Sequence, residues 1–312
     1  MSLFKKKTAE VNNDSISGDG THAVSHFSFA DALMMFIIAL LCCTCIFPFI
    51  HIIAKSFSSN AAVASQQVVF WPVEINTQAY ASILKDGRMT YSIVYSAIVT
   101  VVFAILGVCV TICAAYPLTK KDLPFRPVLS FLLMFPMYFG AGLIPTYLLY
   151  NSYHMLDTVW VLILPLIFSP YNMLVMKSFL QSTIPVSLEE SAFLDGAGYF
   201  RILFKVVLPL SKPIIATLLL FYAVGRWNAY GDNLYYIKLN ENLKMIQYLL
   251  YQMVTNASEA QTIAMAEGSV QVTNPEVQQA AAIMVTTLPI LIVYPFVQKH
   301  FVKGAMIGSV KG

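Results

Sequence analysis

Charge is scarce along this chain. Only 11% of its residues are Asp, Glu, Lys or Arg and 58% are hydrophobic, where a soluble domain carries about a quarter charged residues. That excludes an ordinary water-soluble domain. Acidic residues are absent where lipid would be: none of the 16 lies deep in an apolar stretch, with Asp31 ahead of the first and Asp232 in the last turn of the fifth. Proton- or sodium-coupled secondary transport usually relies on carboxylates within the spans, so this absence argues against it. Also missing are a Gly-x-x-x-x-Gly-Lys-Ser/Thr phosphate loop and any paired-carboxylate, Ser–His or metal-ligand spacing. No catalytic residue, metal or cofactor is therefore expected on this chain, and it is not read as an enzyme. The five cysteines, Cys42, Cys43, Cys45, Cys109 and Cys113, all fall inside apolar stretches without partner ligands. They read as buried small hydrophobes rather than disulfide or metal cysteines.

What is present is a set of long apolar runs. Six stretches approach or exceed the roughly 18 residues needed to cross a bilayer, at about 33–53, 93–116, 128–150, 158–176, 214–234 and 280–297. The expectation is an all-α, multi-pass membrane domain over 29–312. Residues 1–28, with Lys5, Lys6 and Lys7 among Asn, Asp, Ser and Gly, have no apolar periodicity. They read as a retained polar tail rather than a signal peptide.

Orientation follows the basic residues near span ends. With the N-terminus inside, Lys5, Lys6, Lys7, Lys120, Lys121, Arg126, Lys177, Arg201, Lys205, Lys212, Lys299, Lys303 and Lys311 are all cytoplasmic, 13 of the 19 basic residues. Both termini, including the tail 299–312, are then expected on the cytoplasmic side of a bacterial plasma membrane. The outside segment 235–279 carries Leu243, Ile246, Leu250, Met253 and Val254 at helical spacing, which predicts a short amphipathic helix.

The inside segment 184–212 is dense in helix signals. Ser187 followed by Glu190 reads as a capping box. Gly196 and Gly198 can end that helix and turn the chain, and a second helix is expected from about Tyr199 to Val207, ahead of Pro209. Pro213 is placed to open the next span. The run Glu190-Ser191-Ala192-x-x-x-Gly196, followed after nine residues by Val206-x-Leu208-Pro209, resembles the coupling motif of ABC-importer permeases. That motif's usual form is Glu-Ala-Ala, three residues, Gly, nine residues, Ile-x-Leu-Pro. Ser191 and Val206 depart mildly from it. The stretches Phe139–Pro145, Phe221–Asn228 and the ending Phe301–Gly312 are similar to the carbohydrate-uptake branch, and more narrowly to permeases for complex oligosaccharides.

The resemblance implies a type I ABC-importer permease fold with six transmembrane helices. It implies ATPase coupling through Glu190, Ser191, Ala192, Asp195, Gly196, Leu208 and Pro209, in a knob that docks in a groove of a cytoplasmic ATPase. The implied partners are a second permease subunit, two ATPase subunits that hold the ATP and Mg, an extracellular solute-binding protein and membrane lipid, with no nucleic acid. In maltose-type members the C-terminal tail reaches between the ATPase subunits; a frayed end is the alternative here.

Within the fifth stretch, Arg226 lies about 18 Å from the inner end at 1.5 Å per residue. A charge at that depth faces a polar cavity or a partner. One reading joins Tyr222, Arg226, Trp227 and Asn228, with Asn172 beside Pro170, as a translocation path. The other makes Trp and Tyr an interfacial belt and pairs Arg226 with Asp232 or Asp157.

Overall fold

A computed structural model describes residues 29–85, 87–267 and 275–309, with the side chains of residues 30, 257–267 and 296–309 left aside. Among the described residues there are helices and no strand. The polar tail expected at 1–28 lies outside them. The chain divides into two compact units, Met1–Phe49 and Ile50–Gly312. What is described of the first is a single helical run, the N-terminal part of α1 (Phe29–Ser56).

The second unit includes two short helices, α2 (Asn60–Ala64) and α3 (Gln78–Lys85), and is organised around α4 (Gly87–Ala115), which a short 3-10 turn at Pro117–Thr119 extends. Val99, Phe103, Ala104, Gly107, Val108, Thr111 and Ala115 recur every three or four residues and are buried, so one stripe faces protein. Val94, Ile98, Val101, Val102 and Ile105 on the other side are apolar and exposed. A helix apolar on both faces belongs in lipid or against another subunit rather than in water. Its buried stripe packs on α12 (Lys212–Asn228) and α8 (Pro170–Thr183), and α12 packs in turn on α15 (Pro275–Ser309).

Six uninterrupted spans were expected; three helices are long and apolar enough to cross a membrane unbroken, or up to five if each of two bent pairs counts as one span, among the described residues. The unbroken ones are Asp31–Ser56, Gly87–Thr119 and Pro275–Pro295, corresponding to the first, second and sixth stretches. The third stretch is two helices, α5 (Arg126–Tyr138) and α6 (Leu143–Ser152), bent by 116°. Gly142 at their junction has φ +87°, a conformation that breaks an α-helix and that glycine adopts without strain.

The fourth stretch, 158–176, is not one helix. Only Trp160–Ile163 (α7) is helical before α8 starts at Pro170. Ser169 is extended at φ −116°, ψ 114°, and its hydroxyl caps α8 by accepting from Asn172 N. A residue before proline avoids helical φ/ψ, so no helix runs through Ser169, and Pro170 opens α8 six residues beyond the C-cap of α7 at Leu164. The fifth stretch stops at Asn228, and Gly231–Tyr236 forms a separate helix, α13. The segment Tyr199–Leu210 meets α12 at 81°.

The amphipathic helix expected in 235–279 is present and far longer than a short element: α14 covers Ile246–Glu267, 22 residues. Ile246 and Leu249 are buried against Val277 and Ala281. Residues 299–309, expected as a tail, continue α15, and 310–312 lie outside the described residues. The cysteines correct the sequence reading. All five thiols are free and exposed, because Cys109 and Cys113 sit on the outward face of α4 rather than on its packed stripe.

Candidate functional site

The segment 184–212 forms a knob built from four short pieces. Ile184 closes α8 in an extended conformation and is buried, and Pro185 leads into α9 (Val186–Leu194). The expected capping box does not form. Ser187 is the second residue of α9 rather than its cap; its carbonyl accepts from Ser191 Oγ at 2.8 Å. The preference of Pro185 for an extended conformation sets the helix start earlier than the Ser-x-x-Glu pattern suggests.

The far end of α9 is a full glycine turn. Gly196 has φ +78°, Gly196 N donates to Phe193 O at 2.9 Å, and Ala197 N donates to Ala192 O at 3.0 Å. These are the two bonds of a Schellman motif, and they satisfy carbonyls that the helix end leaves free. Ala192 and Ala197 meet the buried cluster that contains Ala115, Leu118 and Ile202, so the turn is anchored to the end of α4. Gly198 keeps an ordinary φ of −76° and opens α10 (Tyr199–Ile202).

The second helix does not stop before Pro209. A π turn at Leu203–Val207 leads into α11 (Leu208–Leu210), which contains Pro209, and Ser211 breaks the path before α12. Proline lacks an N–H and its ring crowds the carbonyl four residues back. A widened turn just ahead of it accommodates both.

Of the residues assigned to coupling, Glu190, Ser191, Asp195, Gly196 and Pro209 are exposed, while Ala192 and Leu208 are half-buried and pack inward. The knob also exposes apolar side chains that the motif does not mark: Leu194 at 90%, Phe200 at 80% and Phe204 at 63% of their surface. The same segment carries a half-buried ion pair, Lys120 with Glu189. A cleft of about 680 Å³ opens beside it, bounded by Tyr116, Lys121, Gln181, Glu190 and Phe193. The apolar exposure was legible as a cluster of aromatic and Leu residues in a loop. The ion pair joins residues 69 positions apart and had no local signal.

The second candidate cluster surrounds Arg226, which is 2% exposed. Its Nη1 donates to Asp232 Oδ2 at 2.6 Å and to Leu162 O at 3.0 Å, and Nη2 approaches Met245 Sδ at 3.4 Å. Its guanidinium lies 5.6 Å from the Phe103 ring centroid, and its Nε has no hydrogen-bond partner. Of the two carboxylates considered from the sequence, Asp232 takes the role. Asp157 instead receives the backbone N–H groups of Lys238, Leu239 and Asn240 at 2.6, 2.8 and 3.4 Å. Desolvation alone would raise the Asp157 pKa, but those backbone hydrogen bonds and the Lys238 charge outweigh it and hold the carboxyl below its usual value.

Arg226, Tyr222 and Asn172 border one cavity of about 260 Å³, together with Phe103, Ser169 and Phe221. The Tyr222 hydroxyl lies 2.7 Å from Thr111 Oγ1 and accepts from Ser169 N at 3.2 Å. Trp227 and Asn228 do not join this cavity. Trp227 is buried and donates to Thr286 O at 3.3 Å, while exposed Asn228 donates back to Val224 O. No group of His, Cys, Asp and Glu that could hold a metal occurs among the described residues.

Known proteins are similar to this chain in sequence and fold. The chain is 41% identical over 283 residues to the polygalacturonan/rhamnogalacturonan transport system permease protein YtcP of Bacillus subtilis, covering 90% of this chain and 98% of that one. It is 41% identical over 268 residues to protein LplC of the same organism, covering 86% and 90%. Among solved structures, a bacterial ABC transporter involved in the import of the acidic polysaccharide alginate contains a chain with a TM-score of 0.74 and 30% identity, covering 88% of this chain and 99% of that one. With residues 107–306 matching its pattern, the chain belongs to the family of binding-protein-dependent transport system inner membrane components.

Proposed function

We propose that this chain is the permease subunit of an ATP-driven importer that carries an oligosaccharide across a bacterial plasma membrane. In this reading, separate ATPase subunits drive it through the 184–212 knob. The observation that carries the proposal is the exposure of Leu194, Phe200 and Phe204 on a knob turned at Gly196 and seated beside the end of α4, where the basic residues gather. Apolar side chains held that far into water mark a protein contact. Covering Leu194 and Phe200 contributes about 1.5–3 kcal/mol each to docking. The small inward residues of the knob, Ala192 and Ala197, seat it on the core.

The Lys and Arg distribution supports cytoplasmic termini and a cytoplasmic knob. We read six crossings, with the α5–α6 pair as the third, α7 and α8 as the fourth, and α12 as the fifth. Broken helices of this kind are tolerated in a membrane where the freed backbone is buried in protein or lines a cavity. The printed roles of relatives in polygalacturonan/rhamnogalacturonan transport and in alginate import support a carbohydrate cargo. Asn172 and Tyr222 at the Arg226 cavity, with its aromatic walls, suit a sugar's mixed surface. The remaining partners are a second permease subunit, two ATPases that bind ATP and Mg, and an extracellular solute-binding protein.

The test is purification with the ATPase and permease subunits, then reconstitution into vesicles. Loaded binding protein should stimulate ATP hydrolysis and drive uptake of a labelled oligogalacturonide or a neutral oligosaccharide. In a background without the native cysteines, a cysteine at Ser187 should label only from inside and one at Asn256 only from outside. Full ATPase association after Leu194→Asp with Phe200→Asp, or outside labelling at Ser187, would overturn the reading.

A further inference from the structure

The knob touches the rest of the protein in two ways. One is apolar: Ile184, Ala192 and Ala197 pack on a cluster that includes Ala115, Tyr116 and Leu118 at the end of α4. Such contacts are non-directional and let a helix rock or slide. The other is directional. Glu189, in the first turn of α9, pairs with Lys120, the residue after the 3-10 turn that extends α4. Both side chains are largely covered, with 18% and 16% of their surface exposed. Lys120 is also held over the Tyr116 ring, 4.3 Å from its centroid. The lysine is thus clamped between a ring just past the end of α4 and a carboxylate on α9. At mid-length, α4 grips α12, where Tyr222 meets Thr111 and leans on Gly107.

We propose that Lys120 and Glu189 form a strut that fixes the angle of the knob against α4, so that displacement of the knob reaches α12 and the Arg226 cavity instead of being lost in rocking. They act as positioning residues, and the proposal rests on the importer reading above. Glu189 is set apart from the neighbouring Glu190, which is exposed and free to meet a partner. The strut faces inward and stays within this chain.

The test is charge reversal in the reconstituted importer, comparing Lys120→Glu, Glu189→Lys and the double swap. The readout is labelled oligogalacturonide taken up per ATP hydrolysed, with ATPase subunit recovered per permease alongside. Each single reversal is expected to leave ATPase recovery near wild type and lower uptake per ATP by about tenfold, with the swap restoring most of it, as for a coupled pair in a double-mutant cycle. A ratio unchanged in the single variants, or a swap no better than either, would overturn the strut. Loss of ATPase recovery in Glu189→Lys alone would also overturn it, because Glu189 would then contact the ATPase. A wild-type chain that recovers no ATPase would instead overturn the importer reading, and the strut with it.

Discussion

Gly107 on α4 sits directly against the ring of Tyr222 on α12: a Cβ at position 107 would lie 2.8 Å from the Tyr222 Cδ1 atom. The tyrosine is buried and its hydroxyl is held by Thr111 and by the backbone of Ser169. Three segments therefore meet at one ring, and the closeness of α4 and α12 depends on the missing side chain. Gly107→Ala should destabilise by about 1–3 kcal/mol through overpacking, read as a lower unfolding midpoint in detergent. Gly107→Ala combined with Tyr222→Leu should recover part of that loss by removing the ring.

At the knob, nothing lies within 4 Å of a Cβ placed on Gly196, yet its φ is +78°. The cost of a side chain there is backbone strain, about 1–2 kcal/mol for an L-residue and larger when β-branched. On the importer reading proposed above, Gly196→Val should therefore leave membrane insertion and pairing with the second permease near normal while lowering ATPase recovery and binding-protein-stimulated hydrolysis. Gly196→Asn should be milder, since asparagine tolerates the left-handed region. Equal effects from Asn and Val would point to side-chain bulk rather than backbone geometry.

Arg226 and Asp232 form a pair whose side chains are 1% and 19% exposed. Removing one partner leaves a charge without its counterion, which costs about 3–5 kcal/mol for a buried pair. Asp232→Ala should reduce the yield of folded protein sharply. Arg226→Lys should lower it as well, because an ammonium cannot span Asp232, the Leu162 carbonyl and Met245 as the forked guanidinium does. Normal yield of Arg226→Lys, measured by size-exclusion recovery after extraction, would show that charge alone suffices.

The Asp157 carboxyl is held below its usual value by three backbone N–H donors that outweigh desolvation. A carboxylate with a depressed folded-state pKa contributes stability that is fully present above the unfolded-state value, about 3.9, and is lost as pH falls through the folded-state value. The connection 237–240 should accordingly loosen in acid, between the unfolded-state value and lower pH. Asp157→Asn keeps a residue that accepts φ +54° but has no charge to titrate. The gap between wild-type and Asp157→Asn unfolding midpoints should be constant from pH 7 to about 5 and close toward pH 3. A gap that persists at pH 3 would assign the effect to packing.

Much of the site was legible because its signals are local. The Glu190-to-Pro209 spacing marks the knob, and a glycine at 196 announces a left-handed turn that the observed φ bears out. The capping box failed because Pro185 competes for the same helix start and begins α9 one residue before Ser187. The stretch 158–176 is not one continuous helix, and its break was not legible because a proline such as Pro170 reads equally well as a kink within one helix or as the start of another. Only the packing of the freed backbone decides between those outcomes.

By itself, the sequence determined that the chain is helical and largely apolar, where its long runs lie, and which loop carries the family motif. Composition and short-range spacing are sufficient for those properties, because hydrocarbon admits few alternatives to the helix. Tertiary structure alone decided that Arg226 pairs with Asp232 and not Asp157, that Asn172 and Tyr222 share its cavity while Trp227 and Asn228 do not, and that Lys120 meets Glu189. Each of these depends on where helices bend and how closely they approach, as at Gly142 and Gly107. Those features come from contacts between segments far apart in the chain, which no local pattern of residue types encodes.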